Sequence, residues 1–134
     1  MAKHNEIGKL GEDIASKWLS DKGFVTVERN YWKKWGEIDV VARATSGKIH
    51  FIEIKTVSYE TRQGMDQAIS RGTWRPEENV HLHKQKRLAR AIQTWMAERK
   101  YTGEFQIDIL TLRMVQQEKF VRIKLIENVI FELE

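Results

Sequence analysis

The 134-residue sequence contains no cysteine, only one proline and no long hydrophobic run. The lack of cysteine excludes disulfide bonds and thiolate metal ligands, so any metal ion must be held by oxygen atoms or histidine. Oxygen ligands favour hard cations such as Mg²⁺ and Mn²⁺. No apolar stretch approaches the roughly 18 residues of a membrane-spanning helix, and the first residues lack the apolar core of a secretory signal. We therefore expect a cytoplasmic protein without membrane contact.

The residues that are present are typical of a folded domain. Hydrophobic residues make up 41% and charged residues 31% of the chain, which suits one domain over residues 1–134. The net charge of +4 is unevenly distributed, because residues 81–100 contain six Lys or Arg residues and one Glu. A basic helix face is typical of proteins that bind a phosphate backbone. A solvated face without a ligand explains the charge equally well.

Hydrophobic periodicity predicts a helix, three strands, a long connection, a second long helix and two or three closing strands. The first helix is predicted over residues 5–22, with Asn5 as its N-terminal cap and Gly23 ending it. The following strands are predicted over residues 24–32, 37–44 and 48–56. The connection covers residues 57–79, and the second long helix is predicted to begin near residues 76–80.

Two glycines lie inside the first predicted helix, Gly8 and Gly11. Glycine lowers the stability of a helix interior by about 1 kcal/mol relative to alanine. We therefore expect another backbone to approach the helix at these positions, either that of the sheet or that of a nucleic-acid strand.

The second and third predicted strands carry charged residues within apolar runs, Asp39 in the first and Glu53 with Lys55 in the second. Side chains alternate between the faces of a strand, so Glu53 and Lys55 share one face. Directly opposed residues of a hairpin project to the same face. Asp39 therefore joins Glu53 and Lys55 only if the residue numbers of each opposed pair add to an even number. A two-residue Ser46-Gly47 turn gives an odd sum. A convergent site therefore predicts a three-residue loop, with Gly47 in the left-handed conformation, or a bulge.

Paired carboxylates on adjacent strands have a clear chemical use. They can bind a divalent cation that bridges a phosphate oxygen and a water molecule. In that arrangement Asp39 and Glu53 hold Mg²⁺ or Mn²⁺, and Lys55 orients or deprotonates the water and offsets charge in the transition state. The alternative is a half-exposed strand on which Glu53 and Lys55 form only a cross-strand ion pair, because Glu-x-Lys is a short motif that also occurs by chance.

The runs GEIDVVA, FIEIKT, HKQKRLARAIQTW, QIDIL and IKLIENVIF follow one another along most of the chain. In this order they resemble the YraN-like family of bacterial proteins, which belongs to the PD-(D/E)XK nuclease superfamily and is similar to archaeal Holliday-junction resolvases. The resemblance implies an α/β fold with a restriction-endonuclease-like core, in which a mixed central β-sheet is flanked by helices. Kinship with resolvases also implies a possible homodimer.

The resemblance implies roles for four site residues. Asp39 and Glu53 become metal ligands and Lys55 the catalytic lysine. Glu12 on the first helix becomes a further acidic member, which ligates the metal directly or through water. Glu37 also matches the family pattern, without an assigned role.

The second long helix supplies the expected nucleic-acid contacts. By the resemblance, Lys84 and Gln85 match a Lys-Gln pair that opens this helix and contacts phosphate. Basic residues further along it extend the expected grip on phosphates, namely Lys86, Arg87 and Arg90. Asp108 matches an acidic position of the family, and a salt bridge to a helix-borne Lys or Arg is the alternative explanation.

The connection over residues 57–79 departs from the family pattern by the added run RGTWRPEEN. Trp74 and Arg75 in this run could stack on bases or contact phosphate, and a packed loop tryptophan is the alternative. Among the other tryptophans, Trp32 and Trp35 are predicted to be exposed near a ligand.

The sequence thus predicts an enzyme, a Mg²⁺- or Mn²⁺-dependent endonuclease that hydrolyses phosphodiester bonds in DNA. Branched repair or recombination intermediates are possible substrates, and RNA is not excluded. The alternative is a nucleic-acid-binding module of the same fold that does not cut. A protein–protein adaptor that uses exposed aromatic residues is a third possibility.

Overall fold

The computed structural model describes residues 2–72 and 82–129, which form three α-helices and five strands. The helices are α1 (Ala2–Asp21), α2 (Arg62–Ser70) and α3 (Leu82–Arg99). The strands are β1 (Val25–Lys33), β2 (Gly36–Arg43), β3 (Ile49–Ser58), β4 (Phe105–Val115) and β5 (Phe120–Ile126). This architecture confirms the predicted fold class, a mixed α/β core of the restriction-endonuclease-like kind. The predictions for Trp74, Arg75 and the start of the second long helix fall outside the described residues.

The five strands form one sheet in the order β1-β2-β3-β4-β5. Strands β3 and β4 are parallel, and the other neighbouring pairs are antiparallel. The chain passes from β3 to β4 through α2 and α3, because a parallel pair needs a long crossover. Strands β1 and β5 are therefore the edges of the sheet. No helix in the described ranges is long and apolar enough to cross a membrane.

Helices cover both faces of the sheet. On one face, α1 contributes to a core of Ala15, Leu19, Val40, Ala42, Ile52, Ile54, Leu110 and Leu112. On the other face, α3 contributes to a core of Tyr31, Ile38, Val41, Ile49, Phe51, Leu88, Ala91, Ile92 and Trp95. Each large apolar side chain buried in this way contributes about 1.5–3 kcal/mol. The apolar stripes read from the sequence therefore account for the two layers of helices.

The limits of α1 differ from the prediction at its first turn. The helix begins at Ala2, so Asn5 lies inside it and the predicted cap is wrong. A cap contributes only about 1 kcal/mol, and no helix-breaking residue precedes Asn5. Gly23 ends the helix as predicted, with a φ of 95°, and its N–H donates to the Ser20 carbonyl at 3.0 Å.

Two glycines set how closely the helices approach the sheet. A Cβ atom on Gly11 would lie 2.2 Å from Thr56 Oγ1, so α1 packs onto β3 only because residue 11 has no side chain. A Cβ atom on Gly36 would lie 2.0 Å from the Arg87 carbonyl oxygen, which sets the approach of α3 to β2. A close approach of the sheet is found at Gly11, but the nearest atoms belong to the Thr56 side chain and not, as was predicted, to a backbone. At Gly8 no described atom comes within 4 Å of such a Cβ, so the sheet is not the reason for that glycine.

Candidate active site

The β2–β3 hairpin has the register that a convergent charged site requires. Val40 opposes Ile52, which gives an even sum. The loop contains three residues, because the N–H of Ala44 donates to the carbonyl of Lys48 at 2.9 Å. Gly47, the last loop residue, has a φ of 92°. The predicted odd loop with a left-handed glycine is confirmed.

Asp39 lies where β2 and β3 separate. Its carboxylate accepts a hydrogen bond from the N–H of Ile54 at 2.8 Å. On the N-terminal side of Asp39, Ile38 packs in the same core as Val41. Side-chain alternation along β2 predicts Ile38 on the face of Val40, opposite that of Val41. This prediction is wrong, because the strand leaves its regular pairing with β3 at Asp39.

Glu53 is a buried carboxyl group, with only 1% of its surface exposed. Burial and the nearby Asp39 carboxylate raise the pKa of Glu53 to about 7. Burial also raises the pKa of Asp39, against the opposing effects of the Ile54 N–H and Lys84. When both carboxyl groups ionise they repel each other, and a cation between them removes the repulsion.

An open cavity of about 300 Å³ lies beside Asp39, while the buried Glu53 does not line it. It is lined by Gly8, Glu12, Glu37, Asp39, Ile54, Thr56 and Lys84. Burial, followed by the charge of Asp39, raises the pKa of Glu12, which lies on α1. Acidic side chains from α1 and β2 therefore meet at one cavity, as the resemblance implied.

Two lysines stand beside the carboxyl groups. Lys84 on α3 contacts Oε1 of Glu53. Burial lowers the pKa of Lys84, but the Glu53 carboxylate raises it by more, so the pKa lies above its usual value. Burial and the charge of Lys84 lower the pKa of Lys55 on β3. Lys84 therefore holds its proton more tightly than Lys55, which loses its proton more readily.

The contact between Lys84 and Glu53 was not predicted. The sequence placed Lys84 on a phosphate, and no local pattern links a residue at the start of α3 to one in β3. Side-chain alternation predicts contacts only between adjacent strands, whereas this contact depends on how α3 packs across the sheet. The family pattern, which singled out Lys84 on other grounds, was the only signal for its importance.

The site carries carboxyl groups of the kind that bind hard divalent cations, although the ligand atoms of Glu12, Asp39 and Glu53 do not all lie within 4.8 Å of one another. Asp39, Glu53 and Glu12 provide carboxylate oxygens, the ligands that Mg²⁺ and Mn²⁺ prefer. The Lys84 ammonium group stands where a cation is needed to balance the buried Glu53 carboxylate. A metal ion bound there would take over this charge balance.

The chain matches the model of the uncharacterised protein family UPF0102 over residues 11–125. The chain belongs to this family. It is 32% identical to a UPF0102 protein of Campylobacter concisus over 122 residues, 91% of each chain. It is 34% identical to one of Dictyoglomus turgidum over 110 residues, 81% of this chain and 83% of that protein. A Helicobacter pylori relative is 31% identical over 129 residues, 96% of this chain and 95% of its own.

The UPF0102 match confirms the family that the sequence motifs indicated. It covers Glu12, Asp39, Glu53 and Lys55, all of which lie within the matched residues. The family description carries no activity, and the chemistry of this UPF0102 protein depends on the residues of its site.

The predicted phosphate contacts of the UPF0102 protein fall into two groups. Lys86 and Arg90 are exposed and lie one turn apart on the same side of α3. Arg87 donates to the Lys34 carbonyl at 3.3 Å, which holds α3 against the β1–β2 turn. Gln85 is partly buried. Lys86 and Arg90 are therefore the members best placed to meet a large ligand from solvent.

A second polar cluster lies at the start of β3 and β4. His50 Nδ1 and Asp108 Oδ2 share a hydrogen bond of 2.6 Å, and both residues are buried. Asp108 Oδ1 accepts from Gln106 Nε2 at 2.8 Å and from the Asn128 N–H at 2.9 Å. A ligand atom of Glu127 lies within 4.8 Å of those of His50 and Asp108. Because protein donors already occupy both Asp108 oxygens, this cluster joins β3, β4 and the segment after β5.

Asp108 does not form the salt bridge to a helix-borne Lys or Arg that the sequence offered as an alternative. Its partner is a histidine of the neighbouring strand, and not a lysine or arginine of a helix. A single sequence does not show this pairing, since His50 and Asp108 meet only through the parallel register of β3 and β4.

Proposed function

We propose that this protein is a Mg²⁺- or Mn²⁺-dependent nuclease that hydrolyses phosphodiester bonds in DNA. The observation that carries the proposal is the buried Glu53 carboxyl group beside Asp39, with Lys55 on the same strand. A buried carboxyl pair lowers stability unless a cation neutralises it, and such costs concentrate at functional sites. The likeness to the PD-(D/E)XK superfamily supports the same assignment.

In this proposal Asp39 and Glu53 hold the metal ion, with Glu12 assisting directly or through water. When bound, the ion supplies a Lewis acid that polarises a phosphate oxygen and lowers the pKa of a water ligand. Lys55 has a lowered pKa, so its Nζ atom is suited to accept a proton from the attacking water or to orient it.

Lys84 has a different part. Glu53 engaged with a metal ion no longer needs the Lys84 ammonium as its counter-ion. Lys84, which is partly exposed at the cavity, is then free to contact the phosphate, as the family pattern implied. The negative charge of the phosphate would then keep Lys84 protonated in place of Glu53.

The proposal also covers the location of the protein, its domain organisation and its active form. We place the protein in the cytoplasm and treat residues 1–134 as one domain. Kinship with junction resolvases favours branched DNA as substrate and a homodimer as the active form.

The test is a cleavage assay with Mn²⁺ on branched, flapped, single-stranded and duplex DNA. We expect Asp39→Asn and Lys55→Met to lower the cleavage rate by roughly 10²-fold or more, the usual effect of removing a metal ligand or a proton-transfer group. The matched control is Asp66→Asn, which removes an exposed carboxylate paired with Arg122 and should leave the rate unchanged. Cleavage that persists in both site variants overturns the assignment.

A second assay separates metal binding from catalysis. Mn²⁺ should raise the melting temperature of the wild type and of Lys55→Met, because a ligand that binds the folded state stabilises it. It should not do so for Asp39→Asn. An equal shift in all three proteins would place the metal elsewhere.

One observation favours a non-catalytic module as the second candidate. The Lys84 ammonium already balances Glu53 without a metal ion. A protein that binds but does not cut would show salt-dependent DNA affinity that falls on changing Lys84 and Arg87, with no turnover under any divalent metal.

A further inference from the structure

A second cavity, of about 210 Å³, adjoins the carboxylate site. It is lined by Asn30, Tyr31, Trp32, Glu37, Ile38 and Asp39. Glu37 and Asp39 also line the first cavity, so the two cavities meet at these carboxylates. A ligand whose phosphate lies at Asp39 can therefore place an adjoining group in the second cavity.

Trp32 provides an open aromatic surface at this second cavity. Its side chain is 65% exposed, more than any other exposed large hydrophobic residue among those described. It lies on the edge strand β1, opposite Glu37 of β2. An indole ring normally contributes stability by being buried, so an exposed one beside a cavity indicates a contact surface.

The chain around Trp32 is held in place by α3. The indole N–H of Trp35 donates to Thr94 Oγ1 at 2.8 Å, and Arg87 donates to the Lys34 carbonyl at 3.3 Å. The predicted exposure of Trp32 and Trp35 is confirmed, but the two differ in use. Trp35 secures the β1–β2 turn to α3, whereas Trp32 presents its ring from that fixed support.

We propose that Trp32 stacks on an unpaired base next to the cleaved phosphate. The substrate class is then DNA with an unpaired nucleotide at the cleavage site, such as a flap or a branch. A paired base has its faces covered by its neighbours, while an unpaired base can stack on an aromatic side chain. Glu37 lies beside Trp32 and can accept a hydrogen bond from a base amino group. This inference rests on the proposed nuclease function.

The experiment compares two DNA probes of one sequence, a full duplex and a flapped duplex with 2-aminopurine at the first unpaired position. Binding is measured in the Lys55→Met background, so that the probes stay intact. Trp32→Ala should weaken flap binding roughly 5- to 150-fold, the range for loss of one stacked base, and leave duplex binding unchanged. Trp32→Phe should retain most of the flap affinity, and stacking should lower the 2-aminopurine fluorescence.

The control is Val25→Ala, which removes an exposed apolar side chain at the other end of β1 and should change neither affinity. Equal flap binding by Trp32→Ala and its parent, with equal fluorescence, overturns the stacking role even if the wild type cuts DNA. If Trp32→Ala loses the flap preference while the wild type never cuts DNA, stacking is supported and the nuclease function is overturned. If the alanine variant does not fold, Trp32→Leu decides, and retained flap preference in it overturns the proposal.

Discussion

Glu53 links the stability of the fold to pH. Its pKa is about 7 in the folded state against an ordinary value of 4.5. Below the ordinary value the carboxyl group is protonated in both states and burial adds no charge penalty. As the pH rises towards and through the folded pKa, the unfolded chain ionises more readily, so stability is lost over this window.

The corresponding prediction concerns Glu53→Gln in the absence of metal. This variant should raise the free energy of unfolding at pH 8 by on the order of 3 kcal/mol, since one pKa unit corresponds to about 1.4 kcal/mol. At pH 4.5 it should have little effect. Urea denaturation at the two pH values measures the difference.

Asp66→Asn serves as the control for this prediction, because Asp66 is exposed and forms a surface ion pair with Arg122. Its stability difference from the wild type should be nearly the same at both pH values. A Glu53→Gln profile as steep as that of the wild type would contradict the burial of an ionising Glu53.

At the scale of elements, the contact between α1 and β3 depends on Gly11. A Cβ atom there would lie 3.1 Å from both Cβ and Cγ2 of Thr56 as well as close to its Oγ1, so rotation of Thr56 cannot relieve the clash. Glu12 is the next residue, and its position at the cavity follows from the same contact.

We therefore predict that Gly11→Ala lowers the free energy of unfolding by about 1–3 kcal/mol through overpacking. The matched control is Gly8→Ala on the same helix, where no described atom lies within 4 Å of the added Cβ. That variant should be neutral or gain up to about 1 kcal/mol from helix propensity. Equal denaturation curves for the two variants would show that Gly11 does not set the distance between α1 and β3.

At the scale of the whole molecule, the charge distribution matters more than the net charge of +4. Lys86 and Arg90 project from α3, the helix that also brings Lys84 to the site. Lys17 and Lys22 are equally charged but lie towards the end of α1 away from Gly8 and Glu12. The two pairs allow charge and position to be separated.

The double variant Lys86→Ala/Arg90→Ala should weaken DNA binding and reduce the slope of log affinity against log salt by about 2, because each phosphate contact contributes about 0.9. Lys17→Ala/Lys22→Ala removes the same charge and should change the slope little. Fluorescence anisotropy of labelled DNA over a series of salt concentrations gives both slopes. Equal losses in the two variants would mean that DNA senses only the net charge.

Much of the fold could be predicted because its signals are local. Strand alternation, the apolar stripes of α1 and α3 and the turn at Gly23 are all encoded within a few neighbouring residues. The errors occurred at the first turn of α1 and at the end of the β2–β3 pairing. The cap at Asn5 was outweighed by a longer helix, and the alternation around Ile38 failed where Asp39 leaves the regular ladder to bond with Ile54.

The sequence by itself determined that Asp39 and Glu53 lie on the two strands of one hairpin, because strand periodicity and the turn residues around Gly47 are properties of adjacent residues. Only the tertiary structure decided the electrostatic character of the site. The burial of Glu53, its contact with Lys84 and the open ring of Trp32 all depend on how α3 and the edge strand pack. Such contacts join residues distant in the sequence, and the pKa of a carboxyl group depends on all of them together.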